Sequence, residues 1–317
     1  MNGIIPEIED FAAEMADWRH DIHAHPETAF EEVRTSDKVA GLLQDFGIEA
    51  HRGLATTGVV GVLRNGDGPA IGLRADMDAL PIEELTNLPY RSTNPGKMHA
   101  CGHDGHTAML LGAARYLAET KNFDGTVHFI FQPAEENVAG ARVMIADGLF
   151  EKFDCDMVFG MHNMPGVELG KFAVNPGPIM ASADFVEITI TGKGAHGAYP
   201  HNGTDPIVVA AQMISAFQTI ASRRTDPLDS VVVSITQVIA GHTSTVIPET
   251  ATLIGTTRAL QLETQNMIES EMRQIAKGIG DAFGAHVDFV YDRRYLPTIN
   301  TPQEAEYSAR AAADIVG

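Results

Sequence analysis

The stretch His99-Ala-Cys-Gly-His-Asp-Gly-His106 places three imidazoles and one thiol within eight residues. Thiolate and imidazole are the ligands that borderline divalent ions accept, and Cys101 and His103, with one residue between them, suit a loop wrapped around an ion. The residues that follow, Thr107-Ala-Met-Leu-Leu-Gly-Ala-Ala-Arg-Tyr-Leu-Ala118, carry apolar side chains at helical spacing. The cluster therefore sits at a helix N-terminus, where the dipole favours an ionised thiol. A plainer arrangement stays open: exposed histidines in a polar loop, or His99 and His106 satisfied by hydrogen bonds while Cys101 packs as a small hydrophobe.

More polar groups gather where apolar runs end. Ala70–Ala75 leads into Asp76-Met-Asp78, Val127–Phe131 into Gln132-Pro-Ala-Glu135-Glu136, and Met157–Met161 into His162-Asn163. In an open parallel sheet, ligands bind beyond the carboxyl ends of the strands, so these groups can converge with Cys101 on one crevice. Taken singly, the glutamates read as a solvated turn and His162 as a hydrogen-bonded strand end. Taken together they suit amide hydrolysis, because one carboxylate can ligate a metal while its neighbour takes the proton of an attacking water.

The elements that must position these groups alternate in the first half between helices, Ile8–His20 and Ala29–Phe46, and short apolar strands, of which Gly58–Leu63 is the earliest. Several strands are almost wholly apolar, as strands covered on both faces are. The expected fold is α/β: a three-layer domain with a largely parallel mixed sheet, built from residues 1–182 and 294–317. From Asp184 the texture changes to polar–apolar alternation, with strands at Asp184–Thr191, Ser230–Thr236, Ala251–Ala259 and His286–Tyr291 and helices at Pro206–Ser222 and Glu263–Phe283. Residues 183–293 are expected to form an inserted α+β domain of four strands and two helices, and a last helix follows at Pro302–Ile315. A net charge of −20, from 42 acidic and 22 basic residues, argues against nucleic acid or an anionic membrane surface as partner. No run reaches the roughly 18 apolar residues of a membrane span. The N-terminal residues lack the pattern of a signal peptide, and a cytoplasmic protein is expected. There, Cys101 and Cys155 are better explained by at least one metal ligand than by a disulfide.

The chain resembles the dinuclear metallopeptidases and amidohydrolases that include aminoacylase, hippurate hydrolase and the auxin-conjugate hydrolases. The resemblance rests on Arg19-His-Asp-Ile-His-Ala-His-Pro-Glu27, Arg74-Ala-Asp-Met-Asp-Ala-Leu-Pro81, the His99–His106 cluster, Gln132-Pro-Ala-Glu-Glu136, Gly160-Met-His-Asn163, Gly192-Lys-Gly-Ala-His-Gly-Ala-Tyr-Pro-His201, and Val246-Ile-Pro248 with Arg258. It implies two divalent ions, manganese, zinc, cobalt or nickel, held by Cys101, His103, Glu136 and His162, with Glu135 as general base. It further implies that the inserted domain is a lid through which the chain forms a homodimer. His196 would then steady an oxyanion in the partner's site, and Arg258 would bind the carboxylate of a small N-acyl amino acid. Asp78 is expected to orient a ligand or the lid-side loop, Asn163 to contact substrate, and Thr245, standing where relatives carry Asn, to contact it as well.

The resemblance also implies a continuation of several tens of residues that supplies a further His ligand. No candidate for it follows Pro302, and His286 is a poor substitute. One of the two metal positions is accordingly expected to be weak, with one ion retained. Three other readings stay open: a dipeptidase or carboxypeptidase using the same site, a catalytically impaired metal-binding dimerisation module, and a thiol redox protein using Cys101 and Cys155.

Overall fold

In the computed structural model, which describes residues 5–317, Pro6 supplies a backbone preset for a first helical turn and opens α1 (Pro6–Glu9). Phe11 then turns into the core, and the chain resumes as α2 (Ala12–Ala24). The single helix expected over Ile8–His20 is therefore two, and the second runs a turn further, carrying Ile22 and His23 into buried positions. α3 (Val33–Asp45) begins four residues later than expected and buries Thr35, Ser36, Val39, Ala40 and Leu43, a stripe at helical spacing. The chain reverses after it at Gly47, whose φ of 76° is left-handed.

A strand that the sequence did not disclose, β1 (Glu49–Leu54), comes next. It is followed by β2 (Gly58–Asn65), β3 (Ala70–Asp76), α4 (His103–Thr120) and β4 (Gly125–Gln132). The short helices α5 (Glu135–Val138), α6 (Gly140–Ala146) and α7 (Leu149–Lys152) then lead to β5 (Met157–Gly160). These strands form one mixed sheet in the order β1-β2-β4-β3-β5. Only β4, β3 and β5 run parallel, whereas β1–β2 and β2–β4 pair antiparallel, so the parallel part is narrower than expected.

Side-chain alternation explains why the central strands are apolar throughout. Val59, Leu63, Phe129 and Phe131 point to one face and pack with Trp18, Leu43 and Leu111 of α2, α3 and α4. Val60, Val62 and Ile130 point to the other and pack with Met144 and Leu149 of α6 and α7. Three layers result. Because β3 and β4 are parallel and in register at Asp76 and Gln132, the residues that follow each strand emerge side by side.

The chain divides into two compact units: one takes the residues through Ala173 together with Tyr307–Gly317, the other is Val174–Glu306. In the second unit the elements are β6 (Gly177–Met180), β7 (Ala183–Thr191), β8 (Ala195–His196), α8 (Pro206–Thr219), β9 (Val231–Ala240), β10 (Val246–Ile247), β11 (Thr250–Ala259), α9 (Leu262–Phe283), β12 (His286–Tyr295) and β13 (Thr298–Asn300). The last helix of the chain is α10 (Pro302–Val316). The four long strands make an antiparallel sheet in the order β12-β7-β11-β9. Its inward residues, Val186, Ile188, Ile190 and Leu253 among them, pack on Met213 and Phe217 of α8 and on Ile268 and Met272 of α9. β9 and β12 each run four residues past their expected ends, because the ten-residue β11 and the nine-residue β7 offer them ladder partners.

Candidate metal centre

Gly102 opens the site. Its φ of 101° lies in the left-handed region, and a Cβ there would stand 2.3 Å from the Oδ1 of Asn163, so both the turn and the close approach require glycine. α4 starts at the next residue. His103 is thus the first helical residue rather than part of a loop ahead of a helix beginning at Thr107, and Cys101 lies just outside.

Two imidazoles are set the same way. The Nδ1 of His103 donates to the backbone oxygen of Asp78 at 2.9 Å and to its Oδ1 at 3.2 Å, so Nε2 is the nitrogen turned toward the glutamates. The Nδ1 of His162 donates to the backbone oxygen of Asn163 at 2.6 Å, and its Nε2 lies 3.4 Å from the Sγ of Cys101. The Nε2 of His103 in turn lies 3.8 Å from Glu136 Oε1 and 4.0 Å from Glu135 Oε2. Asp78 joins the two sides, since its Oδ2 accepts the backbone N–H of Glu136 at 3.0 Å while Oδ1 faces His103.

The donor set fits a divalent ion. His103 Nε2 and Glu136 Oε1 are buried and have no hydrogen-bond partner among the described residues, an arrangement that costs free energy unless a cation stands between them. Cys101, His103 and His162 form one group whose ligand atoms lie within 4.8 Å of one another, and His103, Glu135 and Glu136 form a second. A shared imidazole with one thiol and two carboxylates suits zinc, cobalt, nickel or manganese. Electrostatics agree. Burial opposes a charge on His103, yet Asp78, Cys101 and Asp76 together push its pKa up to about 11, so the pocket draws in positive charge. Burial raises the pKa of Glu135, with Asp76 and Glu136 adding to the effect, which makes it a better proton acceptor near neutral pH than a solvated glutamate.

Several supporting residues left little trace in the sequence. Glu32, fully buried, accepts the hydroxyl of Thr57 at 2.7 Å and the backbone N–H of Ala134 at 2.8 Å, fixing the left-handed turn at Ala134 that delivers Glu135. Its neighbours Phe30 and Glu31 gave no hint of this. Asp104, on the first turn of α4, takes hydrogen bonds from Arg19 at 3.1 Å and His23 at 3.0 Å. That contact is one of those the Arg19–Glu27 motif contributes. His106 is hydrogen-bonded to Asp76 and Asn163, but His99 is not satisfied in the expected way: it is buried with neither ring nitrogen paired among the described residues. Burial holds it neutral, at a pKa of about 4. Cys101 and Cys155 are both free thiols.

The remaining candidates lie in the second unit. His196, exposed on β8, accepts the backbone N–H of Ala198 on Nδ1 at 3.1 Å, which leaves its proton on Nε2. Thr245 uses its backbone oxygen to accept Gly197 N–H at 2.7 Å and so holds the His196 turn. Arg258, half-buried on β11, donates from Nη1 to Thr256 Oγ1 at 2.5 Å and to the oxygen of Thr257 at 2.8 Å.

Residues 72–317 match the family described as peptidase family M20/M25/M40. The chain belongs to that family. Among its relatives are the hippurate hydrolase of Campylobacter jejuni, 46% identical over 99% of this chain and 82% of that one. The N-acetylcysteine deacetylase of Bacillus subtilis is 43% identical over 97% and 81%. A solved M20 peptidase from Bacillus subtilis, described as binding a dinuclear metal, superposes with a TM-score of 0.83 at 40% identity, covering 96% of this chain and 80% of that one. In this M20-family chain three groups of side chains able to hold a metal ion share His103: with Cys101 and His162, with Glu135 and Glu136, and with Asp76 and His106.

Proposed function

We propose that the protein hydrolyses the amide bond of small N-acyl amino acids, such as hippurate or N-acetyl amino acids, with two divalent ions. The observation that carries this is the pair of imidazoles, His103 and His162, each tied through Nδ1 to an oxygen and turned through Nε2 toward a thiol or glutamate. Relatives acting on hippurate and on N-acetylcysteine support the substrate class. Ions held by Cys101, His103, Glu136 and His162 would polarise the amide carbonyl and lower the pKa of an attacking water toward about 7.

Glu135 takes one proton of that water as its oxygen adds to the carbonyl carbon, then returns the proton to the departing nitrogen. Water is thereby split across the C–N bond, leaving an acid and a free amine. His196, protonated on Nε2, donates to the oxyanion, and we assign that contact to a second copy of the chain bound through the Val174–Glu306 unit. Arg258 keeps guanidinium donors beyond its Nη1 contacts for the substrate carboxylate. The test is a panel of N-acyl amino acids and dipeptides, assayed after loading with manganese, zinc, cobalt or nickel. Acyl amino acids should be preferred and chelation should abolish turnover. A higher kcat/KM on dipeptides would overturn the substrate assignment.

A further inference from the structure

We propose that His106 is a positioning residue that aims the metal-binding nitrogen of His162, acting through the peptide of Asn163. This rests on the assignment of His162 as a ligand. The tie starts at the ends of β3 and β4, where Arg74 donates to Gln132 Oε1 at 2.8 Å and to Asp76 Oδ2 at 2.8 Å. Asp76 Oδ1 accepts from His106 Nδ1 at 2.6 Å. His106 Nε2 accepts the backbone N–H of Asn163 at 3.1 Å. The carbonyl of that same residue accepts from His162 Nδ1, and so sets the plane in which His162 Nε2 faces Cys101.

His106 could instead be read as a ligand, because Asp76, His103 and His106 lie close enough to surround an ion. The hydrogen bonds decide against it. Both nitrogens of His106 and both oxygens of Asp76 are engaged, while His103 Nε2 and Glu136 Oε1 are buried with no hydrogen-bond partner among the described residues. The imidazole of His106 lies edge-on to that of His162 with ring centres 4.5 Å apart, so it also supports the ring it aims. Asn163 becomes the link between the two histidines rather than a substrate contact.

Losing such outer support of a ligand typically weakens metal binding by about 10- to 100-fold. His106→Asn is the informative variant, because the shorter amide can keep the bond to Asp76 but cannot reach the Asn163 peptide. Metal-free protein titrated with cobalt, read by calorimetry and by the cobalt–thiolate absorption band, should show this loss, with KM unchanged and kcat recovered at saturating cobalt. Wild-type cobalt affinity in His106→Asn, or a raised KM with affinity intact, would overturn the proposal. His162→Ala separates it from its premise: unchanged binding there sinks the ligand assignment, whereas weakened binding there with a wild-type His106→Asn sinks only the positioning role. Should His106→Asn not fold, Asn163→Ala, which keeps both peptide groups of the tie, should bind cobalt as the wild type does; a loss of about 10-fold or more there would put the link in the side chain and overturn the route through the peptide.

Discussion

Asp76 and Asp184 are both sealed from solvent, one in each unit, and their surroundings are opposite. Burial works against ionising Asp76, but the hydrogen bond from His106 and the charges of Arg74 and His103 outweigh it and hold the carboxyl well below the usual carboxylate range. Asp184 accepts hydrogen bonds from Gln265, Tyr291, Ser182 and Thr257, none of them charged. There burial dominates and its pKa is raised. A buried acid thus becomes a fixed negative charge only where cations are folded around it. The first unit stores such charge beside the candidate metal ligands. The second uses its acid as a knot joining the residue before β7, β11, β12 and α9.

If the buried charges of the first unit serve the chemistry, the largest effect should come from the one carboxylate placed to move a proton. Glu135→Ala is expected to lower kcat by about 10²- to 10⁴-fold while metal content, measured by elemental analysis, stays at the wild-type level. A kcat within a few-fold of wild type would remove Glu135 from the reaction. Loss of metal along with activity would make it a ligand and reassign the roles of Glu135 and Glu136.

Asp76→Asn addresses the same half of the comparison through stability. The new amide N–H₂ would have to face either Arg74 Nη1 or His106 Nδ1, both donors, and the charge that compensates them would be gone. Breaking a buried pair from one side costs about 3–5 kcal/mol, so equilibrium urea denaturation should show a loss of that order. A loss under about 1 kcal/mol would mean that the charges around Asp76 do not hold it in place.

The sequence disclosed those parts of the molecule where one physical requirement dominates. Strands β2, β3 and β4 were legible because burial on both faces demands unbroken apolar runs, and Cys101, His103, Glu135, Glu136 and His162 because few other tasks call for those side chains where strands end. β1 was not: Glu49-Ala-His-Arg-Gly-Leu54 is an edge strand whose polar residues face solvent, and its place comes from the ladder with β2. Glu32 was equally hidden, and so were the partners of Asp76 and His106, although both residues stand in motifs the sequence displays. Their roles are set by partners 25 to 102 residues away, a distance at which spacing carries no signal. The break at Phe11 escaped for a similar reason, since the helical period continues through it and only tertiary burial of the ring decides the turn.

The smallest effect belongs to Asp184→Asn, and it tests the neutral side of the comparison. The substituted carboxamide can keep its oxygen toward Gln265 Nε2 and present its two N–H groups to two of the three hydroxyls of Ser182, Thr257 and Tyr291, which can rotate to accept, while Thr257 and Tyr291 keep the bond between their own hydroxyls. Its cost should therefore stay below about 1 kcal/mol. The sign of its pH dependence follows from the raised pKa of Asp184. In the unfolded chain the acid titrates near about 3.9. The stability it contributes is thus fully present below that pH and is lost as pH rises through the higher folded value, because the folded state releases its proton later. Asn, which does not titrate, is spared that loss. Urea midpoints of the two proteins, followed from about pH 4 to about pH 8, should therefore move in favour of the variant as pH rises. A shift in the opposite direction would mean that Asp184 is ionised and stabilised as a charge, and that the two units treat their buried acids alike.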